Sequence, residues 1–140
     1  MTVTFFGHRQ IFENVQPVLR RVLETMITEQ GADNFYVGHQ GAFDSLVLRT
    51  LKELKVVYPH ITYEIVLAYL PTDNSQTNIK DEPTVYPDGL ESVPRRFAIV
   101  HRNRWMLEHS DWVISYAKSP GGAAQFTVLA EKRGKKVIRL

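Results

Sequence analysis

Trp112-Val113-Ile114-Ser115-Tyr116-Ala117-Lys118-Ser119-Pro120-Gly121-Gly122-Ala123-Ala124 contains the transition that decides the fold. The aromatic and β-branched run Trp112–Tyr116 reads as a strand. Ser119-Pro120 interrupt it, and Gly121-Gly122 open a helical stretch that ends near Gly134. Residues 136–140 then read as another short strand. Strand, glycine turn, helix, strand is the repeating unit of a parallel sheet, because parallel neighbours need a crossover between them.

The same unit recurs upstream. Residues 3–6 form a short strand that ends at Gly7-His8-Arg9. Residues 11–30 follow as a helix, with Ile11, Val15, Val18, Leu19, Val22 and Met26 at helical spacing and Gly31 as its stop. Asn34–Val37 is a second strand, ending at Gly38-His39-Gln40-Gly41. Ala42–Val57 is a helix with Phe43, Leu46, Val47, Leu51 and Leu54 on one face, stopped by Pro59. Residues 61–70 form a third strand, ending at Pro71-Thr72-Asp73. Residues 72–93 are polar, carry Pro83, Pro87 and Gly89, and show no period; a loop this long suits a lid or binding loop. Pro94 fits the first turn of a helix running to about His109.

Strict alternation predicts one Rossmann-like α/β domain over residues 1–140, a three-layer α/β/α arrangement with a mainly parallel five-stranded sheet. A 3-2-1-4-5 order puts the ligand crevice between the first and fourth strands, outside their carboxyl ends. The unusual residues gather at those ends.

Composition narrows the function. With 140 residues, 44% apolar, there is one core's worth of chain. Cysteine is absent, which excludes disulfides and Cys-zinc sites and suits a cytoplasmic setting. The stretch MTVTFFGHR (residues 1–9) is too short and too polar for a signal peptide, and no apolar run is long enough to cross a membrane, so no membrane partner is expected. The net charge of +2 is uneven: residues 1–94 sum to −5 and residues 95–140 to +7. A basic C-terminal third favours an anionic ligand, a phosphate or a nucleic acid, or is simply a solvated surface. The five histidines show no metal-ligand spacing, so neither a metal nor a cofactor is expected. No Walker A loop, Gly-x-Ser-x-Gly elbow or Gly-x-Gly-x-x-Gly fingerprint is present.

Gly121 and Gly122 would let backbone N–H groups approach a phosphate at a helix N-terminus. Gly7, His8 and Arg9 would stand beside it, Arg9 making bidentate contact with an oxyanion. Gly38 closes the second strand. Asp44 either stabilises its helix terminus or meets a ribose hydroxyl. On the helix after Pro94, Ile99, Val100, Met106 and Leu107 form the expected apolar face with Asn103 at its centre, and Arg102 and Arg104 point elsewhere. Asn103 either bridges to core backbone or serves the ligand; at most one of the two arginines reaches the crevice.

Several stretches resemble the SLOG superfamily, and within it the YpsA-like group of bacterial and phage proteins. They are Thr4-Phe5-Phe6-Gly7-His8-Arg9, Phe35-Tyr36-Val37-Gly38 with Gly41-Ala42-Phe43-Asp44, Leu54-Lys55 with Tyr58-Pro59, Arg102-Asn103-Arg104-Trp105-Met106, Ser110-Asp111, Gly121-Gly122, Thr127-Val128 and Ala130 with Lys132 to Lys135. The resemblance implies a Rossmann-like fold and a pocket for a nucleotide or nucleotide-derived small molecule. The related LOG-type phosphoribohydrolases carry Pro-Gly-Gly-x-Gly-Thr-x-x-Glu; here Ala124, Gln125 and Val128 replace the third glycine, the threonine and the glutamate. The DNA-processing protein A family is a further relative. The leading expectation is therefore binding or sensing of a nucleotide-derived ligand, with Gly7, His8, Arg9, Gly38, Asp44, Arg102, Asn103, Gly121 and Gly122 as the site. A nucleotide N-glycosidase is the alternative, with Glu131, Asp44 or His8 as its acid or base. Single-stranded DNA binding through the basic third ranks last. Residues 72–93 would close over the site or make a contact in a homo-oligomer.

Overall fold

The computed structural model describes residues 1–70, 79 and 81–140. Its elements run β1 (Thr2–Gly7), α1 (Gln16–Glu29), β2 (Asn34–Val37), α2 (Ala42–Val57), β3 (Thr62–Val66), β4 (Thr84–Val85), α3 (Ala98–Glu108), β5 (Trp112–Tyr116), α4 (Gly122–Lys132) and β6 (Lys136–Arg139). Single 3₁₀ turns cover Leu90–Ser92 and Arg95–Phe97. The strands form one sheet in the order β4-β3-β2-β1-β5-β6, and every neighbouring pair is parallel. This is a Rossmann-like three-layer α/β/α fold. Among the described residues no helix is long and apolar enough to cross a membrane.

The sheet has six strands, not the expected five. The extra strand, β4, lies inside the stretch that looked structureless and pairs with β3 at Ile65↔Thr84 and Val66↔Val85. Two residues bracketed by Pro83 and Pro87 are too short to display a period of two, so nothing in the local pattern marks them. With β4 set aside, the strand order is the one expected. Residues 71–78 and 80 lie outside the described residues, and so do the expected Pro71-Thr72-Asp73 end of the third strand and much of the 72–93 loop.

Three boundaries shift for identifiable reasons. α1 starts at Gln16 rather than at residue 11, because Pro17 has no N–H to donate and is tolerated only in the first turn. β3 ends at Val66, where its ladder with β4 stops. α3 begins at Ala98, after the 3₁₀ turn that follows Pro94.

Chain order then determines the layers. β1 is central, with Val3, Thr4, Phe5 and Phe6 all buried. Side chains alternate across it. Val3 and Phe5 join Leu19, Leu23, Phe35, Phe43 and Leu51 in the core shared with α1 and α2. Phe6 joins Met106, Leu107, Val113, Phe126 and Ala130 in the core shared with α3 and α4. The chain turns back at β1, so β1 and β5 send their following loops to opposite faces and open a crevice between them.

Gly7 closes β1 under the α2 layer. A Cβ there would lie 2.1 Å from the Phe43 ring, so the helix packs at this height only over a bare backbone. Gly7→Ala is expected to cost about 1–3 kcal/mol by overpacking. Equilibrium urea unfolding would show it, and Phe43→Leu in the same chain should recover part of the loss. An unchanged midpoint would mean that Phe43 can move aside freely.

Candidate functional site

A cavity of about 310 Å³ opens at the carboxyl end of β1 beside the β1–β5 crevice. β1 and its following turn supply Phe5, Phe6, Gly7, His8 and Arg9, and the β2–α2 turn supplies Gln40 and Asp44. α3 contributes Ile99, Arg102, Asn103 and Met106, and α4 begins in the wall with Gly122 and Ala123. Seven of the nine residues expected from the sequence therefore line one space. Gly121 sits at the N-cap of α4 with φ +151°, a backbone conformation that favours glycine. Gly38 is buried behind the wall.

All four helices start at this edge of the sheet, and the N-termini of α2 and α4 differ. At α2, the Ala42 and Phe43 N–H groups donate to the carbonyls of Arg9 (2.8 Å) and His8 (3.3 Å). Asp44, in the same first turn, accepts from the Gln40 N–H at 2.9 Å. That terminus is satisfied by the protein itself. Among the described residues α4 has no side-chain cap, and its first turn carries no acidic residue. A Cβ on Gly122 would meet nothing within 4 Å. The first N–H groups of a helix lack intrahelical acceptors, so α4 presents free donors and partial positive charge to the cavity.

Arg102 is the correction to the expected helix face. α3 buries Ala98, Arg102, Met106 and Leu107, while Val100, expected in the apolar face, is 44% exposed. Arg102 is only 2% exposed. Its Nε donates to Asn103 Oδ1 (2.9 Å) and its Nη1 to the Val66 carbonyl (3.2 Å). An apolar-periodicity argument assigns arginine to the outside, and only these partners make the burial affordable. Arg104 is exposed, so one arginine of the pair reaches the crevice. Asn103 is not the core bridge; its oxygen orients Arg102, which leaves its NH₂ donors for the cavity.

Asp44 faces Arg102 across Gly38. A Cβ on Gly38 would lie 2.7 Å from Asp44 Oδ2 and 3.1 Å from Arg102 Nη1, so glycine here makes room for the two charged groups. Burial pushes the Asp44 carboxyl up to about 6, against the opposing pull of Arg102, the Gln40 N–H and Arg9. Burial also pushes the Arg102 guanidinium below its ordinary range, and Asp44 opposes this.

His8 has a supporting part. Its Nε2 accepts from the Lys118 N–H (2.8 Å) and the Ser119 N–H (3.3 Å), and its ring meets Tyr116 edge-on. The acceptor role fixes the proton on Nδ1. His8 thus holds the β5–α4 turn, and with it the start of α4. His8→Ala is expected to speed amide exchange of Lys118 and Ser119 about tenfold, which is about 1.4 kcal/mol of lost protection. Exchange measured by NMR would check this; unaltered rates would remove His8 from the turn's support.

Of the other acid–base candidates, Glu131 pairs with Arg139 on the α4–β6 surface and is not a lining residue. Asp44 is the only carboxylate among the described lining residues. The apolar contributors Ile99 and Met106 are expected from the sequence as helix core and Gln40 as part of a strand end, none of them as a site residue. Helical spacing from Asn103 marks the first two, while Gln40 carries no signal beyond standing at a strand end. No protein-family model matches the chain, and no curated protein matches it.

Proposed function

We propose that this cleft binds a nucleotide or nucleotide-derived small molecule through its phosphate. The observation that carries the proposal is the contrast between the two helix N-termini. α2 is capped from within, whereas α4 opens uncapped through Gly122 onto a cavity that also holds Arg9 and the buried Arg102. A phosphate there would take hydrogen bonds from the α4 backbone and charge-assisted bonds from the guanidinium groups. Asp44 lies on the same wall and offers a carboxylate to sugar hydroxyls. The cavity's volume is near the lower end of the roughly 300–1,000 Å³ usual for small-molecule sites, which suits a sugar phosphate better than a dinucleotide.

Thermal shift against inorganic phosphate, ribose 5-phosphate and the nucleoside 5′-monophosphates tests the proposal. At least one phosphate ester should raise the melting temperature in a concentration-dependent way. If none does at millimolar concentration, the phosphate site is wrong.

One observation favours a second reading, N-glycosidic hydrolysis: a cavity carboxyl held near 6 by burial can hold a proton at near-neutral pH. Release of free base from a nucleoside monophosphate, lost in Asp44→Asn, would establish it. Stoichiometric binding with no base released would leave a binding protein.

A further inference from the structure

A second cavity, about 500 Å³, lies on the other side of Asp44. Among the described residues Asp44 is the one side chain common to both linings. Gln40 faces the first cavity and its neighbour His39 the second, so the β2–α2 turn runs between them. Asp44 and Arg102 form the dividing wall where Gly38, with no side chain, lets them pack against its backbone.

The second cavity differs in character from the first. Its cations and anions balance: Arg49 and Lys52 stand with Asp44 and Glu53. Lys52 Nζ is held by Glu82 at 2.6 Å, and Glu53 is held by Arg20 at 3.0 Å. It lies along the side of α2. Leu48 supplies an apolar surface, and His39 supplies a half-buried ring whose protonation is disfavoured by burial and then by the Arg102 charge. Arg49 pairs with none of the described carboxylates, so its planar guanidinium is available for stacking. Such a space suits a flat, polar-edged group that stacks on the Arg49 guanidinium.

We propose that this second cavity is the nucleobase subsite of the same ligand, with the base against His39, Leu48 and Arg49, the sugar at Asp44 and the phosphate at α4. The inference rests on the phosphate-site reading of the first cavity. It adds that the base, and not only the sugar phosphate, contributes affinity, and that α2 residues read it. Ser45 borders the space from an exposed position, and its Oγ donates back to the Gly41 carbonyl at 3.0 Å, which leaves an acceptor toward the base edge.

Isothermal titration with ribose 5-phosphate and with the four common nucleoside 5′-monophosphates separates the two subsites. At least one monophosphate is expected to bind ten-fold or more tighter than ribose 5-phosphate. Ser45→Phe, which adds a ring at the rim of the second cavity, and Arg49→Ala should each cut that advantage to three-fold or less. Both should leave ribose 5-phosphate binding unchanged. Circular dichroism melting of each variant confirms the fold. The base subsite is overturned if no monophosphate outbinds ribose 5-phosphate, or if the advantage survives Ser45→Phe. If neither the sugar phosphate nor any monophosphate binds the wild-type chain, the phosphate site itself is wrong and the base subsite falls with it.

Discussion

Gly122→Asp is expected to abolish phosphate binding while leaving the protein as stable as before. The two halves of this result have separate causes. A Cβ at Gly122 meets no atom within 4 Å, and the residue does not adopt a positive φ, so a side chain enters without strain. The position is the first residue of α4, where a carboxylate interacts favourably with the helix dipole by about 0.3–1 kcal/mol. Stability should therefore hold or rise slightly. The same carboxylate occupies the region where a phosphate would sit and repels it. Affinity for ribose 5-phosphate or a nucleoside monophosphate should fall at least about 100-fold, or about 2.7 kcal/mol. Titration calorimetry and urea unfolding on one preparation read both quantities. Gly122→Ala, which adds bulk without charge, should lose far less. Full-strength binding by Gly122→Asp would place the phosphate away from α4.

The second large effect is on stability. Asp44→Asn should stabilise the protein at pH 7.5 and make no difference at pH 4. In the folded chain the Asp44 carboxyl is pushed from its ordinary 3.8 to about 6, chiefly by burial. Between those two values the folded state keeps a proton that the unfolded chain has released. Stability from this group is thus fully present below about pH 4, is lost as pH rises toward 6, and stays low above. The separation corresponds to roughly 3 kcal/mol. Asparagine has the shape of the protonated acid and can still accept from the Gln40 N–H, so it escapes the loss. Unfolding midpoints of the two proteins should converge as pH falls from 7.5 to 4. A less stable Asp44→Asn at pH 7.5 would mean that attraction to Arg102 outweighs burial. A carboxylate kept at such a cost to the fold is consistent with a role in the cleft.

Much of the architecture could be read along the chain. The alternation of short β-branched runs with helical stretches implied a parallel sheet, and the strand order followed from connection rules. Gly7-His8-Arg9 and Gly121-Gly122 stood out because topology delivers strand ends to one edge. The signal failed where local pattern is too short or is overridden. β4 is two residues long. The start of α1 was displaced by Pro17, whose missing N–H outranks the apolar spacing that begins at Ile11. Ile11 packs against the core all the same, from outside the helix.

Arg102 is the sharper failure. Hydropathy ranks arginine with the solvent, and on that scale Val100 belonged inside. The reverse holds because Val66, Asn103 and Gly38 offer Arg102 two acceptors and a gap, and these come from β3, α3 and the β2–α2 turn.

The sequence by itself determined the class of fold, the ends of β1, β2 and β5 to within a residue and the glycines that open α4, because each depends on periodicity and backbone freedom within a few residues. Tertiary structure alone decided that the α2 N-terminus is closed where the α4 N-terminus stays open. The carbonyls of His8 and Arg9 satisfy α2 from more than 30 positions away, and among the described residues no carbonyl does the same for α4. It alone placed Asp44 beside Arg102 across Gly38. Those contacts join residues far apart in the chain, and their energies depend on burial and on acceptors that exist only once the sheet has assembled.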